Sequence, residues 1–129
     1  MNYDLLISDL GSRINSGVIL CCCSMVGEEL LTIDKNGLVN NDYNIEEVKP
    51  FLFPFEAMSE ELFNTIKGDC QYSYMNGRTG FQLLRITMFN NRALKVLIDN
   101  HFDVNDLIPQ GLALDARKYN IYHNNVVRE

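Results

Sequence analysis

The chain has 129 residues, 47% of them apolar and 22% charged, and 17 Asp and Glu against 11 Lys and Arg give a formal charge of −6. That length suits one domain with a single core and leaves no room for two, while the ordinary apolar fraction excludes wholesale disorder, collagen and coiled coil. Duplex nucleic acid is a poor match for an acidic chain with no basic run, because its backbone demands clustered Lys and Arg.

Tyr3, Ile7, Leu10 and Ile14, with Leu6 beside them, recur at helical spacing, which predicts a leading amphipathic helix with Asp9 and Arg13 on its polar side. Asn2 is its candidate N-cap, and Asn15-Ser16-Gly17 its stop. Residues 18–23 have the length and β-branched start of a buried strand, and residues 30–33 read as a second strand ahead of an Asn36-Gly37 hairpin turn. The apolar run 18–23 is far short of the ~20 residues that span a bilayer. The first positive charge is Arg13, so no secretory leader is expected and the chain is expected to be cytosolic.

Phe51, Phe53 and Phe55 alternate along residues 45–55, and Pro50 and Pro54 deny backbone donors to a neighbour, the pattern of an extended edge segment. Ser59 caps a predicted short helix over residues 60–67 with Leu62, Phe63 and Ile66 as its apolar face. Asn76-Gly77 suggests a two-residue hairpin that sets Tyr74 against Thr79, Tyr72 against Phe81 and Cys70 against Leu83. After a strand over residues 82–88, Asn90-Asn91 opens a helix with Leu94, Leu97, Ile98, His101 and Phe102 on one stripe. Asp103 and Asp106 fit N-cap and N3 positions of a last short helix over residues 104–110. The expected fold is a single α+β domain over residues 1–129. It has an N-terminal helix, a small twisted antiparallel sheet or open barrel of roughly four to six strands, and a C-terminal helix pair.

Three stretches carry a family resemblance: Ser8-Asp9-Leu10 through Arg13-Ile14 to Gly17-Val18, then Val48-Lys49-Pro50-Phe51-Leu52-Phe53-Pro54 with Met58-Ser59-Glu60-Glu61, then Asn100-His101-Phe102-Asp103 with Leu107-Ile108 and Gly111-Leu112-Ala113-Leu114. Together they resemble a group of small uncharacterised proteins of Bacteroidales genomes and of the phages and mobile elements resident there. The chain departs from that group in carrying no tryptophan in its penultimate helix. The resemblance implies a phage or mobile-element setting and no known activity, cofactor or catalytic residue.

The cysteine run is the most unusual chemistry. Cys21 and Cys23 share one face of an extended strand and Cys22 takes the other, which suits core packing of small apolar thiols better than a disulfide framework. A soft-metal site with Cys70 or a histidine lacks the usual C-x-x-C pair, so no metal or other cofactor is expected. A thiol enzyme would need Cys21, Cys23 or Cys70 within reach of His101, oriented by a carboxylate such as Asp99 or Asp103. The adjacent acids Glu28-Glu29, Glu46-Glu47 and Glu60-Glu61 read as solvated surface, and the common nucleotide, zinc-protease, hydrolase and calcium motifs are missing.

What remains is a surface. Phe51, Phe53, Phe55 and Met58, with Tyr72 and Tyr74 of the hairpin, form the candidate partner-binding set, most simply in a two-fold homodimer. A helix over residues 60–67 folded back across the phenylalanines would instead make that stripe ordinary core. The leading expectation is therefore a non-enzymatic binding protein acting by protein contact or self-association. A thiol enzyme using His101 and an architectural virion component are the alternatives.

Overall fold

The computed structural model describes residues 2–14, 16–24, 27–32, 45–74, 84–119 and 121–122 of an α+β chain. Helix α1 (Tyr3–Ser12) starts where the Asn2 side chain accepts from the Leu5 amide at 3.1 Å, satisfying a donor the helix itself cannot. Strands β1 (Ile19–Ser24) and β2 (Gly27–Thr32) pair antiparallel from Ile19/Thr32 to Ser24/Gly27. The second strand thus begins earlier than its apolar residues suggest. The Asn36-Gly37 turn lies outside the described residues.

Strand β3 (Val48–Leu52) corrects the expectation of an edge. It lies inside a sheet of order β2-β1-β3-β6, antiparallel to β1 and parallel to β6 (Leu114–Asp115). Pro50 is accommodated opposite Leu20, a position in the antiparallel alternation where the facing residues exchange no bonds. Beyond the strand, Phe53 accepts from the Asp103 amide at 2.9 Å and donates to the His101 carbonyl at 2.8 Å, so the extended path continues against the segment after the third helix.

The sheet is covered on both faces. Leu6 and Leu10 of α1 pack with Val18, Leu20, Cys22, Val48, Leu52, Leu107, Leu112 and Ala113 on one side. Phe51 and Phe53, one residue out of phase with Leu52, pack on the other with α2 (Glu60–Ile66), β5 (Leu84–Phe89) and α3 (Asn91–Asp99). Ser59 caps α2 through its hydroxyl, and Asn90 caps α3 through its side-chain carbonyl, both as expected.

Strand β4 (Cys70–Tyr74) and β5 form a separate two-stranded ribbon. Its register sets Cys70 against Phe89 and Tyr72 against Ile86, with a bulge between Gln71 and Tyr72, which replaces the expected pairings with Leu83 and Phe81. This alignment turns Ile86 into the core beside Phe63, burial that the Asn-Gly alignment would have given to other residues. The Asn76-Gly77 turn itself lies outside the described residues.

The expected C-terminal helix pair is corrected as well, because residues 104–110 form turns. Asp106 has φ 55, a left-handed conformation that no helix interior holds. The buried Asp103 carboxylate organises the segment from within, accepting from the Leu107 amide at 2.8 Å and the Ile108 amide at 2.9 Å.

Candidate functional site

The aromatic stripe is core. Phe51 is 2% exposed, Phe53 3% and Met58 0%, and Phe55 is half-buried against Phe89 and Phe102. Sequence reasoning assumed that Leu52 and the phenylalanines compete for one interior, whereas a sheet buried on both faces takes Leu52 into one cluster and Phe51 and Phe53 into the other. Helix α2 covers the stripe with Leu62, Phe63 and Ile66.

The outer part of the partner set is arranged differently. Tyr72 is 42% exposed and meets Phe63 edge-on at 4.6 Å between centroids; the side chain of Tyr74 falls outside the described residues. On the same ribbon Met88, which sequence reasoning passed over, is 62% exposed. Met88 borders an open groove of about 330 Å³ lined by Gly68, Asp69, Cys70, Gln71, Phe89 and Asn90. Asn90 braces the foot of this groove, its side chain donating to the Asp69 carboxylate at 2.8 Å and its amide to the Asp69 carbonyl at 2.9 Å.

The structure separates the pieces of the thiol reading. Cys22 is fully buried in the α1-facing cluster, and Cys21 packs half-buried against the opposite one. Cys23 stands opposite Glu28 in the β1/β2 ladder, its side chain outside the described residues. Cys70 lies in the ribbon groove, where burial and then the neighbouring Asp69 carboxylate push its thiol pKa up. That is the wrong direction for a nucleophile, whose reactive form is the thiolate.

His101 leaves the helical stripe altogether. The amide of Phe102 donates to the Leu97 carbonyl and that of His101 to Ile98, a Schellman closure of α3 with His101 in the left-handed position, φ 67, that glycine usually fills. Its ring stacks on Tyr122 with centroids 4.1 Å apart and 12° between planes. Burial first, and then the Arg13 cation, lower its pKa to about 4 against a weaker pull from Asp99. At neutral pH the ring therefore carries no charge. Among the described residues His101 shares no hydrogen bond with a thiol, and no group of three His, Cys, Asp or Glu is placed to hold a metal ion.

Sequence reasoning missed the polar centre beside it. Arg13 donates from Nε to Asp9 Oδ2 at 2.7 Å and from Nη2 to the Phe102 carbonyl at 2.6 Å, with both charged side chains fully buried. Asn105 donates to Asp9 Oδ1 at 2.8 Å. The signal was present as a second stripe: Leu6, Asp9, Leu10 and Arg13 also recur at i, i+3, i+4, i+7.

The chain matches no family model, no curated protein and no solved structure. No helix among the described residues is long and apolar enough to cross a membrane.

Proposed function

We propose that this chain is a non-enzymatic binding protein whose contact surface is the β4–β5 ribbon and the groove at its foot, used most simply in a two-fold homodimer. The observation that carries this reading is the exposure of Met88 beside an open groove of about 330 Å³, with Tyr72 presented on the same two-stranded ribbon. A two-stranded ribbon offers main-chain groups for an added strand, and a flexible thioether suits an adaptable contact. Burying one such side chain contributes roughly 1.5 to 3 kcal/mol to association. The raised Cys70 pKa and the neutral, stacked His101 also favour binding over thiol chemistry. A cytoplasmic location and a phage or mobile-element setting belong to the same proposal, the latter supported by the sequence resemblance alone.

Sedimentation velocity of the full chain from micromolar to millimolar concentration, beside a Met88→Asp variant, tests the surface. A dimer that Met88→Asp dissociates without loss of folded structure is the expected result. A chain that stays monomeric throughout, or a dimer indifferent to Met88→Asp, counts against the ribbon as the contact.

A further inference from the structure

The end of α3, the start of β1 and the last described residues converge on one point. The β1/β3 register that pairs Cys21 with Lys49 and Leu20 with Pro50 sets Ile19 next, opposite Phe51, and the paired ladder stops just short of it. There the Tyr122 hydroxyl stands between the strands, accepting from the Ile19 amide at 2.7 Å and donating to the Phe51 carbonyl at 2.9 Å. One side chain, brought back from the far end of the chain, thus joins two main-chain groups where the strands diverge. The same ring lies 5.5 Å from that of Phe53 and stacks on His101. Ile121 and Tyr122 both pack against the cluster that holds Phe51 and Phe53.

The stack rests on a residue that nothing else on α3 requires. The left-handed position His101 occupies is one that glycine or asparagine fills at lower cost, so the imidazole is held there in spite of the backbone. Its Nδ1 is buried without a hydrogen-bond partner, as is Nη1 of the fully buried Arg13. A proton added at Nδ1 would make a buried donor with no acceptor, in the field of a guanidinium.

We infer that His101 and Tyr122 form a pH-sensitive latch, which fastens residues 121–122 across the diverging β1/β3 seam while His101 is neutral and releases them when His101 takes up a proton. The charged groups around the ring are Arg13 at the end of α1, whose charge is shared with Asp9 and the Phe102 carbonyl, and Asp99 in the last turn of α3. Asp103, next along the chain but one, spends its carboxylate on the Leu107 and Ile108 amides. The Arg13 effect opposes protonation and outweighs that of Asp99. Unlatched, His101 regains an ordinary value near 6.5, whereas latched it titrates at about 4. The ratio of open to latched chains therefore rises about 20-fold between pH 7 and pH 5. Release uncovers the edge of Phe53 and the Ile19 end of the sheet, an apolar surface that the latch keeps dry.

Amide hydrogen exchange on the full-length chain tests this, with rates corrected for the intrinsic effect of pH. The Ile19 amide is expected to be less protected than that of Leu97, and its protection is expected to fall about 20-fold from pH 7 to pH 5. His101→Asn, which tolerates the left-handed backbone and cannot titrate, should abolish that fall. Tyr122→Phe, which keeps the stack and removes the hydroxyl, should lower Ile19 protection at pH 7 already. Equal protection of Ile19 and Leu97 at every pH would mean that the seam opens only by global unfolding and would overturn the latch. A wild-type Ile19 amide indifferent to pH, or an equal fall in His101→Asn, would overturn it too. Should His101→Asn fail to fold, the wild-type comparison of Ile19 with Leu97 and the titration of the assigned His101 ring decide alone, a ring pKa near 6.5 counting against the latch.

Discussion

Asp9 and Arg13 sit one helical turn apart at the end of α1 and grip each other twice, Nε to Oδ2 at 2.7 Å and Nη2 to Oδ1 at 3.2 Å, with neither side chain exposed. Through the Phe102 carbonyl and Asn105, the pair ties α1 to the segment that follows α3. Removing one partner strands a buried charge, which costs about 3–5 kcal/mol, whereas replacing both with apolar residues of similar volume is often neutral. Asp9→Ala and Arg13→Ala are each expected to lose that amount in urea denaturation. The double variant Asp9→Leu/Arg13→Met should recover most of it, and a double variant as unstable as the singles would show that the pair is needed for more than mutual neutralisation.

The contrast between Phe53 and Met88 separates core from surface. Phe53 is 3% exposed among Phe102, Tyr122 and its cluster, so Phe53→Ala should cost about 3–5 kcal/mol and Phe53→Glu should leave the chain unfolded or aggregated. Met88→Asp on the exposed ribbon should change stability by no more than about 0.5 kcal/mol. Thermal melts of the variants check both statements. A folded Phe53→Glu monomer would place that ring on a surface after all.

Local chemistry in the sequence was legible, and long-range pairing was not. Asn2, Ser59 and Asn90 cap their helices because capping needs only residues within one turn, and Leu62, Phe63 and Ile66 face inward because a short helix has one apolar side. Asp9 and Arg13 were assigned to the surface because an isolated charge is cheapest there. Only the distant Phe102 carbonyl and Asn105, contributed by the segment after α3, complete their burial. The β4/β5 register escaped because it depends on Tyr72 of β4 meeting Phe63 and on Ile86 of β5 entering the same cluster, packing that no turn residue encodes. Tyr122 escaped for a related reason: it lies in a tail without periodicity, and its main-chain partners Ile19 and Phe51 are 103 and 71 residues away along the chain, so nothing nearby announces them.

Asp103 carries a prediction of its own, since its carboxylate organises residues 104–110 in place of a helix. Burial raises its pKa, against the lowering effect of the Ile108 and Leu107 amides, with Asp9 and Asp106 adding to the rise. Asp103→Ala leaves two donors without their acceptor in a mostly buried turn, at roughly 1–3 kcal/mol for each that finds no water. Asp103→Asn keeps one acceptor oxygen and should lose less. The ordering Ala worse than Asn, read from urea midpoints, is the expected outcome. Equal loss in both would point to the charge rather than the hydrogen bonds.

The pH dependence of global stability follows from the same groups and holds whether or not the seam opens locally. His101 titrates at about 4 in the folded chain, displaced first by burial and then by Arg13, against an ordinary value of 6.5. A base with a depressed folded pKa contributes stability that is fully present above 6.5 and is lost as pH falls toward about 4, because the unfolded chain binds the proton and the folded chain does not. Asp103 works in the opposite sense: with its folded pKa raised, acidification through its titration favours the folded state. Urea denaturation between pH 7 and pH 5 should therefore show a decline in the wild type that His101→Asn reduces, and Asp103→Asn should lose the compensating gain that Asp103 gives as the pH is taken on toward its ordinary value of 3.8. A decline identical in the wild type and His101→Asn would remove His101 from the account and leave the carboxylates as the source of acid sensitivity.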